Sequence, residues 1–444
     1  MGFYCHVGLD DTDSSEGMCT TFLTYKMVQL IRDRVRFLDY PNLIRHNPNI
    51  PWKTRGNASL VLRMESEIDE DSLFSLFEGT LRKFARSVHA NSGLVFLRGR
   101  KVPEKLRDFG RRSLYTVLSQ QEAKEILKEY RMRWVGLRSE QGIVGALAGI
   151  GNTLEGDHTF ELIAYRKDTG IPRSLDKAKI KEMQKKTYPS TFNSFDGETG
   201  RVMIMPHGPD PVLCGVRGES PSSVKRAFEM LLPMKNLLGW MIFRSNQGTG
   251  EHLREEFQPE EVKAYYSVRT RGTVSSSPRI EEGGHLFFKI NSDSHDSDKG
   301  LLCAAYEPTK NFRKKVMLLK QGDFVEVGGG IRKSTSKHEK VLNLEYVIPL
   351  RLELKTESRN PECPNCSSRM KSLGKEQGFG CPRCKYESTL LKKESMRIQR
   401  QIRENEIMLP PMGAHRHLTR PLQRYGVDNS TCLRNPVAEW YSFE

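Results

Sequence analysis

The sequence predicts a multidomain α+β protein, and three observations carry that reading. At the N-terminus an apolar alternating run, FYCHVGL, ends in an acidic loop and then a helical pattern. From about residue 262 the texture changes to short β-prone runs split by Gly, Ser and Pro. Within 358–388 two C-x2-C pairs stand fourteen residues apart. A chain of 444 residues is too long for one compact core and suits three or four domains.

The first segment, 1–135, reads as α/β. A strand over 3–9 leads to GLDDTDSSEGMCTT, and Phe22, Leu23, Met27, Leu30 and Ile31 then share one helical face over Thr20–Arg34. Three prolines break 41–57 into loop before a strand, SLVLRM. Helices follow near 70–88 and 119–132, the latter opened by a Ser119/Glu122 capping box. A second α/β segment, 136–255, has the strand HTFELIAYR and the helix SSVKRAFEMLL. Its GIVGALAGIG misses the G-x-G-x-x-G spacing, and no G-x-x-x-x-G-K-[ST] occurs anywhere, so ATP would bind unconventionally. Five or so Gly-kinked strands over 262–355 suit a small barrel, an OB-fold among the choices and an SH3-like or sandwich module the alternative. After 358–388, LLKKESMRIQRQIRENEI reads as a basic helix opening a tail, 389–444.

Composition narrows the function classes. No run of about 18 apolar residues exists, so no transmembrane helix is expected. The N-terminus lacks a signal-peptide pattern, so a cytoplasmic location is expected, with no membrane and no obligate protein partner. The net charge of +15 favours a polyanionic partner. Residues 91–138 supply about half of it, with twelve Lys/Arg against five Asp/Glu, which makes that segment a candidate binding surface.

Cys363, Cys366, Cys381 and Cys384 have the spacing of a structural Zn²⁺ site, with a redox role as the alternative. The acidic loop is the second constellation. Asp10, Asp11 and Asp13, with Gly17 and the Thr20/Thr21 pair entering a helix, could hold Mg²⁺ and phosphate together. The plainer reading makes Asp13 and Glu16 a capping device. Arg45, Lys53 and Arg55 lie among prolines in RHNPNIPWKTRGN, a suitable phosphate clamp or a solvated loop. MPHGPDPVLCGVRGE, with His207, Asp210 and Arg217, could shape a pocket or merely connect elements. FRSNQGTGEH offers Arg244, Asn246, Gln247, Glu251 and His252.

In that order these motifs, with DHTFELIAYR and AHRHLTRPL, resemble the archaeal isoleucine-tRNA 2-agmatinylcytidine synthetases from residue 1 to about 420. GTGEH after RSNQ departs from the family's more acidic run. The resemblance implies a kinase-like catalytic domain, a ferredoxin-like domain, an OB-fold and a zinc ribbon. It also implies ATP-dependent attachment of agmatine to C2 of the wobble cytidine in the isoleucine tRNA with a CAU anticodon. The base then reads A rather than G. The expected cofactors are ATP, Mg²⁺ and Zn²⁺. On this resemblance Thr20 is the threonine that becomes phosphorylated, and Asp10, Asp11 and Asp13 hold Mg²⁺ against ATP. Gly17, Thr21, Arg45, Lys53 and Arg55 bind phosphate, while His207 and Asp210 meet agmatine. Two rivals remain: a single-strand-binding scaffold, and a Mg²⁺-dependent nuclease built on the same aspartates.

Overall fold

In the computed structural model the described residues are 2–13, 17–53, 56–85, 90–292, 300–336, 339–354, 356–430 and 435–443. The N-terminal unit begins with β1 (Phe3–Asp10), α1 (Thr20–Ile31), β2 (Val35–Phe37), β3 (Asn42–Arg45) and β4 (Ala58–Ser66). It continues through α2 (Glu70–Phe84), β5 (Gly93–Arg98), α3 (Glu104–Arg112), α4 (Gln120–Glu129) and β6 (Arg133–Gly136). The three helices expected in this unit are present. Asp69 caps α2 through the Ser72 N–H at 2.9 Å, and Ser119 caps α4 through the Glu122 N–H at 3.1 Å. The strand NLIR inside the proline-broken loop is too short to show a period in the sequence.

Next come α5 (Gly142–Gly151), β7 (Thr159–Arg166), α6 (Lys177–Thr187), β8 (Thr191–Phe192) and the two-stranded β9 (Phe195–Asp196) and β10 (Arg201–Val202). Then follow β11 (Val212–Gly218), α7 (Pro221–Glu229) and β12 (Leu237–Ser245). The two α/β segments share one sheet, ordered β6-β5-β1-β4-β3-β12-β7-β11-β8. Every neighbour along this order is antiparallel except β3 and β12, which run parallel for only Asn42↔Arg244 and Leu43↔Ser245. Asn246 lengthens that seam with its side chain. Its amide oxygen accepts from the Arg45 N–H at 2.8 Å and its amide donates to the Arg45 carbonyl at 2.9 Å.

GIVGALAGIG is α5, and its glycines serve packing. A Cβ on Gly93 would lie 2.1 Å from the Gly142 carbonyl carbon, and one on Gly8 would lie 2.2 Å from the Ala146 oxygen. Although it follows β6 in the second segment, α5 packs on β1, β4 and β5 of the first, with α3 and α4 beside it.

β13 (Ser267–Ile280), β14 (Leu286–Asn291), β15 (Leu301–Ala305), β16 (Phe324–Arg332) and β17 (Val341–Arg351) close a five-stranded barrel in the order β13-β14-β15-β17-β16. Phe312 and Val316 of the short α8 (Asn311–Val316) enter its core. The barrel docks on the β3–β4 loop. Asn47 donates to the Tyr265 carbonyl at 2.8 Å and accepts from the Ser267 hydroxyl at 2.9 Å.

A small metal module follows. β18 (Thr356–Arg359) pairs with the more distant β22 (Glu394–Arg397) and so closes its base, while β19 (Lys371–Ser372), β20 (Phe379–Gly380) and β21 (Glu387–Ser388) form its own sheet. The helix expected over LLKKESMRIQRQIRENEI is not formed. Its ESMR is β22, and the following stretch carries Met408 into a bridge with Val347 of the barrel. The tail is therefore extended rather than helical among its described residues. Asn311–Val316, in the barrel, is the last α-helix among the described residues, and only single 3-10 turns at Met412–Ala414 and Leu422–Arg424 follow. It ends as β23 (Tyr441–Phe443), which pairs with β12.

The basic segment 91–138 is less available than its composition suggests. Arg98, Lys105, Arg107, Arg111, Arg112, Lys124 and Arg133 are all in ion pairs with neighbouring carboxylates. Much of that charge is matched within the fold. Among the described residues no helix is long and apolar enough to cross a membrane.

Candidate active site

β1 delivers Asp10 to a cleft of about 410 Å³ between the two halves, which residues of β3, β4, β7 and β11 also line. Asp10, Asp11 and Asp13 line one wall with Cys19, Thr20 and Thr21, the start of α1. Asp11 turns the chain with φ 52, and its N–H donates to the Asp10 carboxylate at 2.7 Å. Loss of hydration, then the neighbouring Asp11, holds the Asp10 carboxyl well above its ordinary value. This is the electrostatic signature of a carboxylate pair that a cation would relieve. A Cβ on Gly145 of α5 would sit 1.7 Å from the Asp10 carboxylate, so the glycine makes room for it.

Asp13 does something different. Its carboxylate accepts from the Thr20 N–H at 2.8 Å and from the Thr20 hydroxyl at 2.9 Å. It therefore caps α1 across the loop, while the Cys19 sulfur at the cap position meets the Thr21 hydroxyl at 3.1 Å and makes no capping bond. The capping reading holds in kind, with Thr20 as the partner; Glu16 lies outside the described residues. The Thr20 hydroxyl also accepts from Thr12 at 3.0 Å, so its oxygen is fixed at the cleft wall. Gly17, with φ 136, lies on the loop before α1 and is not among the residues that line the cleft.

The opposite wall is basic. Arg45, Arg217 and His417 line it, with Glu161 between them. Arg217 donates to Glu161 at 3.1 Å and to His417 Nδ1 at 3.2 Å, and Gln247 donates to the other Glu161 oxygen. Burial lowers the Arg45 guanidinium to about 10, against the pull of Glu161. The Arg45 charge pushes His417 well below the ordinary imidazole value, so it is neutral near pH 7. Leu43, Leu60, Ile163, Met203 and Ile204 make an apolar strip between the walls.

The structure thus brings Asp10, Asp11, Asp13, Thr20, Thr21, Arg45, His207 and Asp210 to one cleft. Asp210 is already committed: its carboxylate pairs with Arg173 at 2.9 Å and accepts from the Val212 N–H at 3.0 Å. His207 accepts from Arg201 at 2.9 Å. Lys53 faces elsewhere. With Trp52 and Asn57 it lines a recess of about 80 Å³ on the far side of Asp10 and Asp11. Arg55 lies outside the described residues.

Of FRSNQGTGEH, Gln247 alone reaches the cleft network. Arg244 pairs with Asp39 at 2.8 Å in the core, and His252 meets Glu345 of the barrel at 3.0 Å. Glu161 and His417 also belong to the site; they lie within DHTFELIAYR and AHRHLTRPL, motifs of the resemblance to which no role is attached. One signal is present for the first: Glu161 is a lone carboxylate inside the apolar strand TFELIAYR.

The four cysteine sulfurs lie within 4.8 Å of one another, the one group of three or more such ligands that converges among the described residues. The Cys363–Cys384 and Cys366–Cys381 sulfurs are 3.4 Å apart. Hydrogen bonds from the Ser368 backbone N–H and hydroxyl lower the Cys366 thiol to about 6. The donor set fits one tetrahedral Zn²⁺ with no open position.

Comparison with known proteins agrees with this architecture. Residues 6–138 match the TiaS TCKD domain, 140–252 the TiaS FLD domain and 360–402 the TiaS C-terminal zinc ribbon domain. The isoleucine-tRNA 2-agmatinylcytidine synthetase TiaS of Pyrococcus horikoshii is 40% identical over 431 residues, covering 94% of this chain and 96% of the relative. That of Cenarchaeum symbiosum is 38% identical over 440 residues, covering 96% and 94%. The crystal structure of apo TiaS superposes with a TM-score of 0.84 at 35% identity, covering 95% of this chain and 97% of the other. A complex of TiaS with its isoleucine tRNA, AMPCPP and agmatine gives 0.79 at 32% identity, covering 98% and 99%. This chain belongs to the isoleucine-tRNA 2-agmatinylcytidine synthetase (TiaS) family.

Proposed function

We propose that this protein is an ATP-dependent cytoplasmic ligase that joins agmatine to C2 of the wobble cytidine of an isoleucine tRNA with a CAU anticodon. One observation carries the reading. A single cleft sets crowded carboxylates and a fixed threonine hydroxyl against a basic wall, with an apolar strip between them. Its relatives were crystallised with an isoleucine tRNA, with ATP or AMPCPP, and with agmatine.

The chemistry follows from the two walls. The C2 oxygen of cytosine leaves poorly, and phosphorylation converts it into a good leaving group. The amine nitrogen of agmatine then bonds to C2, the C2–O bond breaks, and phosphate departs with the former carbonyl oxygen. Asp10 and Asp11 would hold Mg²⁺, which spreads the phosphate charge during transfer. Asp13 orients the Thr20 hydroxyl and can take its proton when that oxygen is phosphorylated. Arg45 and Arg217 face the transferred group, so Arg217 joins Arg45 in the clamp, while Gly17 and Thr21 shape the entry to α1. The apolar strip matches the methylene chain of agmatine. Asp210, tied to Arg173, fixes the loop that carries His207 to the agmatine side. Lys53 belongs to a separate approach to Asp10 and Asp11.

In this reading 1–135 is the kinase-like catalytic domain and 136–255 the ferredoxin-like domain. The barrel of 262–355 is an OB-fold that holds tRNA with the ribbon of 358–388. Incubation with tRNA, agmatine and ATP, followed by nucleoside mass spectrometry and a gel, tests it. An agmatine-dependent mass gain at cytidine is expected. Shortened tRNA would point to a nuclease, and unchanged tRNA to a scaffold.

A further inference from the structure

Beside the cleft lies a recess of about 340 Å³ with no carboxylate among the described residues that line it. Arg45, Lys53, His415, Arg416 and His417 supply its polar surface, with Pro48, Gly56 and Leu418 among the rest. It lies between the β3–β4 loop and the C-terminal segment 415–418. Two of its members, Arg45 and His417, also line the cleft, and Lys53 also lines the recess behind Asp10 and Asp11. The recess is thus a side entrance to the place where the chemistry occurs.

Its charges are set against one another. Burial lowers the Lys53 ammonium below its ordinary value, and the Arg416 guanidinium lowers it further. Two neighbouring cations cost free energy that a bound anion would recover, although Glu345 of the barrel offsets part of the Arg416 charge. The neck into the cleft is kept open by a missing side chain. A Cβ on Gly56 would lie 2.3 Å from Arg45 Nη1 and 2.9 Å from His417 Nε2. The segment carrying Arg416 is held in place, because the Gly248 and Gly250 N–H groups donate to the His417 and Leu418 carbonyls at 2.9 and 2.8 Å. Thr419 donates to Glu345 of the barrel at 2.7 Å.

We infer that this recess binds a backbone phosphodiester of the RNA strand next to the target cytidine, guiding the unstacked base into the cleft. The inference rests on the tRNA-modifying reading above. A base taken out of its stack leaves its flanking phosphates as the fixed points of the strand, and basic side chains hold such points without reading sequence. Arg416 is the discriminating residue, since it lines the recess and not the cleft.

The test compares wild-type protein with Arg416→Ala and Arg416→Lys in the agmatine-transfer assay, varying tRNA and ATP separately. Arg416→Ala is expected to raise the tRNA KM about 3–10-fold, and to make the slope of log affinity against log salt shallower by about 0.7. Arg416→Lys should recover most of the loss, which a merely structural arginine would not show. Gly56→Ala, closing the neck, should lower kcat more than tRNA affinity. An unchanged tRNA KM in Arg416→Ala would overturn the inference. So would a rise in the ATP KM instead, which would assign the recess to the nucleotide's phosphates. Wild-type protein that modifies no tRNA would mark a failure of the functional reading itself.

Discussion

The cysteine centre and the cleft are two ways of building a site. The four sulfurs come from residues 363–384, and short turns alone bring them together. The cleft draws on Asp10, Arg45, Glu161, Arg217 and His417, from both halves of the sheet and from the tail. The first site is complete within one small module. The second exists only if the two-residue parallel seam between β3 and β12, and the clasp of the tail, are formed. The local site should tolerate damage elsewhere, and the assembled one should not.

The sharpest break removes one carboxylate. Asp11→Asn should lower agmatine transfer by about 10³-fold, because stabilisation of phosphoryl charge is worth several kcal/mol. Filter binding should find tRNA affinity within about 3-fold of wild type. A large loss of binding would show that Asp11 serves the RNA rather than the metal.

Zinc removal attacks the other region. Chelation should weaken tRNA binding about tenfold or unfold the ribbon, with metal release followed by a chromophoric indicator. Phosphorylation of Thr20 by ATP should continue, since no cleft residue comes from 358–388. If Thr20 phosphorylation vanished with the zinc, the two regions would not be separable.

The seam is the next weakest point. Asn246→Ala deletes both side-chain bonds to Arg45 and should lower kcat about tenfold, with a Tm loss of roughly 2–4 °C. Asn246→Asp keeps only the acceptor and should fall between. An unchanged kcat in Asn246→Ala would show that the halves hold the cleft without it.

The contrast explains what can be read in the sequence. The cysteine spacing, the β1–acidic loop–α1 unit and the Gly-kinked barrel are local patterns, and each stands as expected. Asp210 and Lys53 differ from expectation in detail because sequence shows a charge but not its partner: Arg173 lies thirty-seven residues from Asp210. The basic segment 91–138 likewise hides its partners, which include Asp71 and Glu155 outside it. His417 lies in the motif AHRHLTRPL, but nothing local says that an extended tail returns to residue 45. The expected helix in that tail fails because β18 and the barrel offer its backbone better partners than its own turns.

Acid should separate the two regions most gently. His46, bonded through its two ring nitrogens to Ser113 and Ser59 at 2.8 Å, is lowered to about 4 by burial and then by Arg45. His6 is lowered to about 3 by burial and then by Arg63. Both belong to the N-terminal half of the sheet. Their folded values lie below the unfolded value near 6.5, so the unfolded chain takes up protons first as pH falls. The stability they contribute is fully present above about 6.5 and drains away toward pH 4, each histidine costing about 1.4 kcal/mol per pH unit between its two values. The four tryptophans, Trp52, Trp134, Trp240 and Trp440, lie in the sheet unit or against it and none lies in the barrel or ribbon. Trp52 contacts Tyr265 at the barrel boundary, with ring centroids 6.1 Å apart, so it is the other three whose fluorescence reports the sheet. Its melting temperature should fall from pH 6.5 to 5, and His46→Gln should flatten that fall whatever it does to stability at pH 7.5. A slope identical to wild type would mean that His46 titrates alike in both states, and that the sheet's acid sensitivity resides elsewhere.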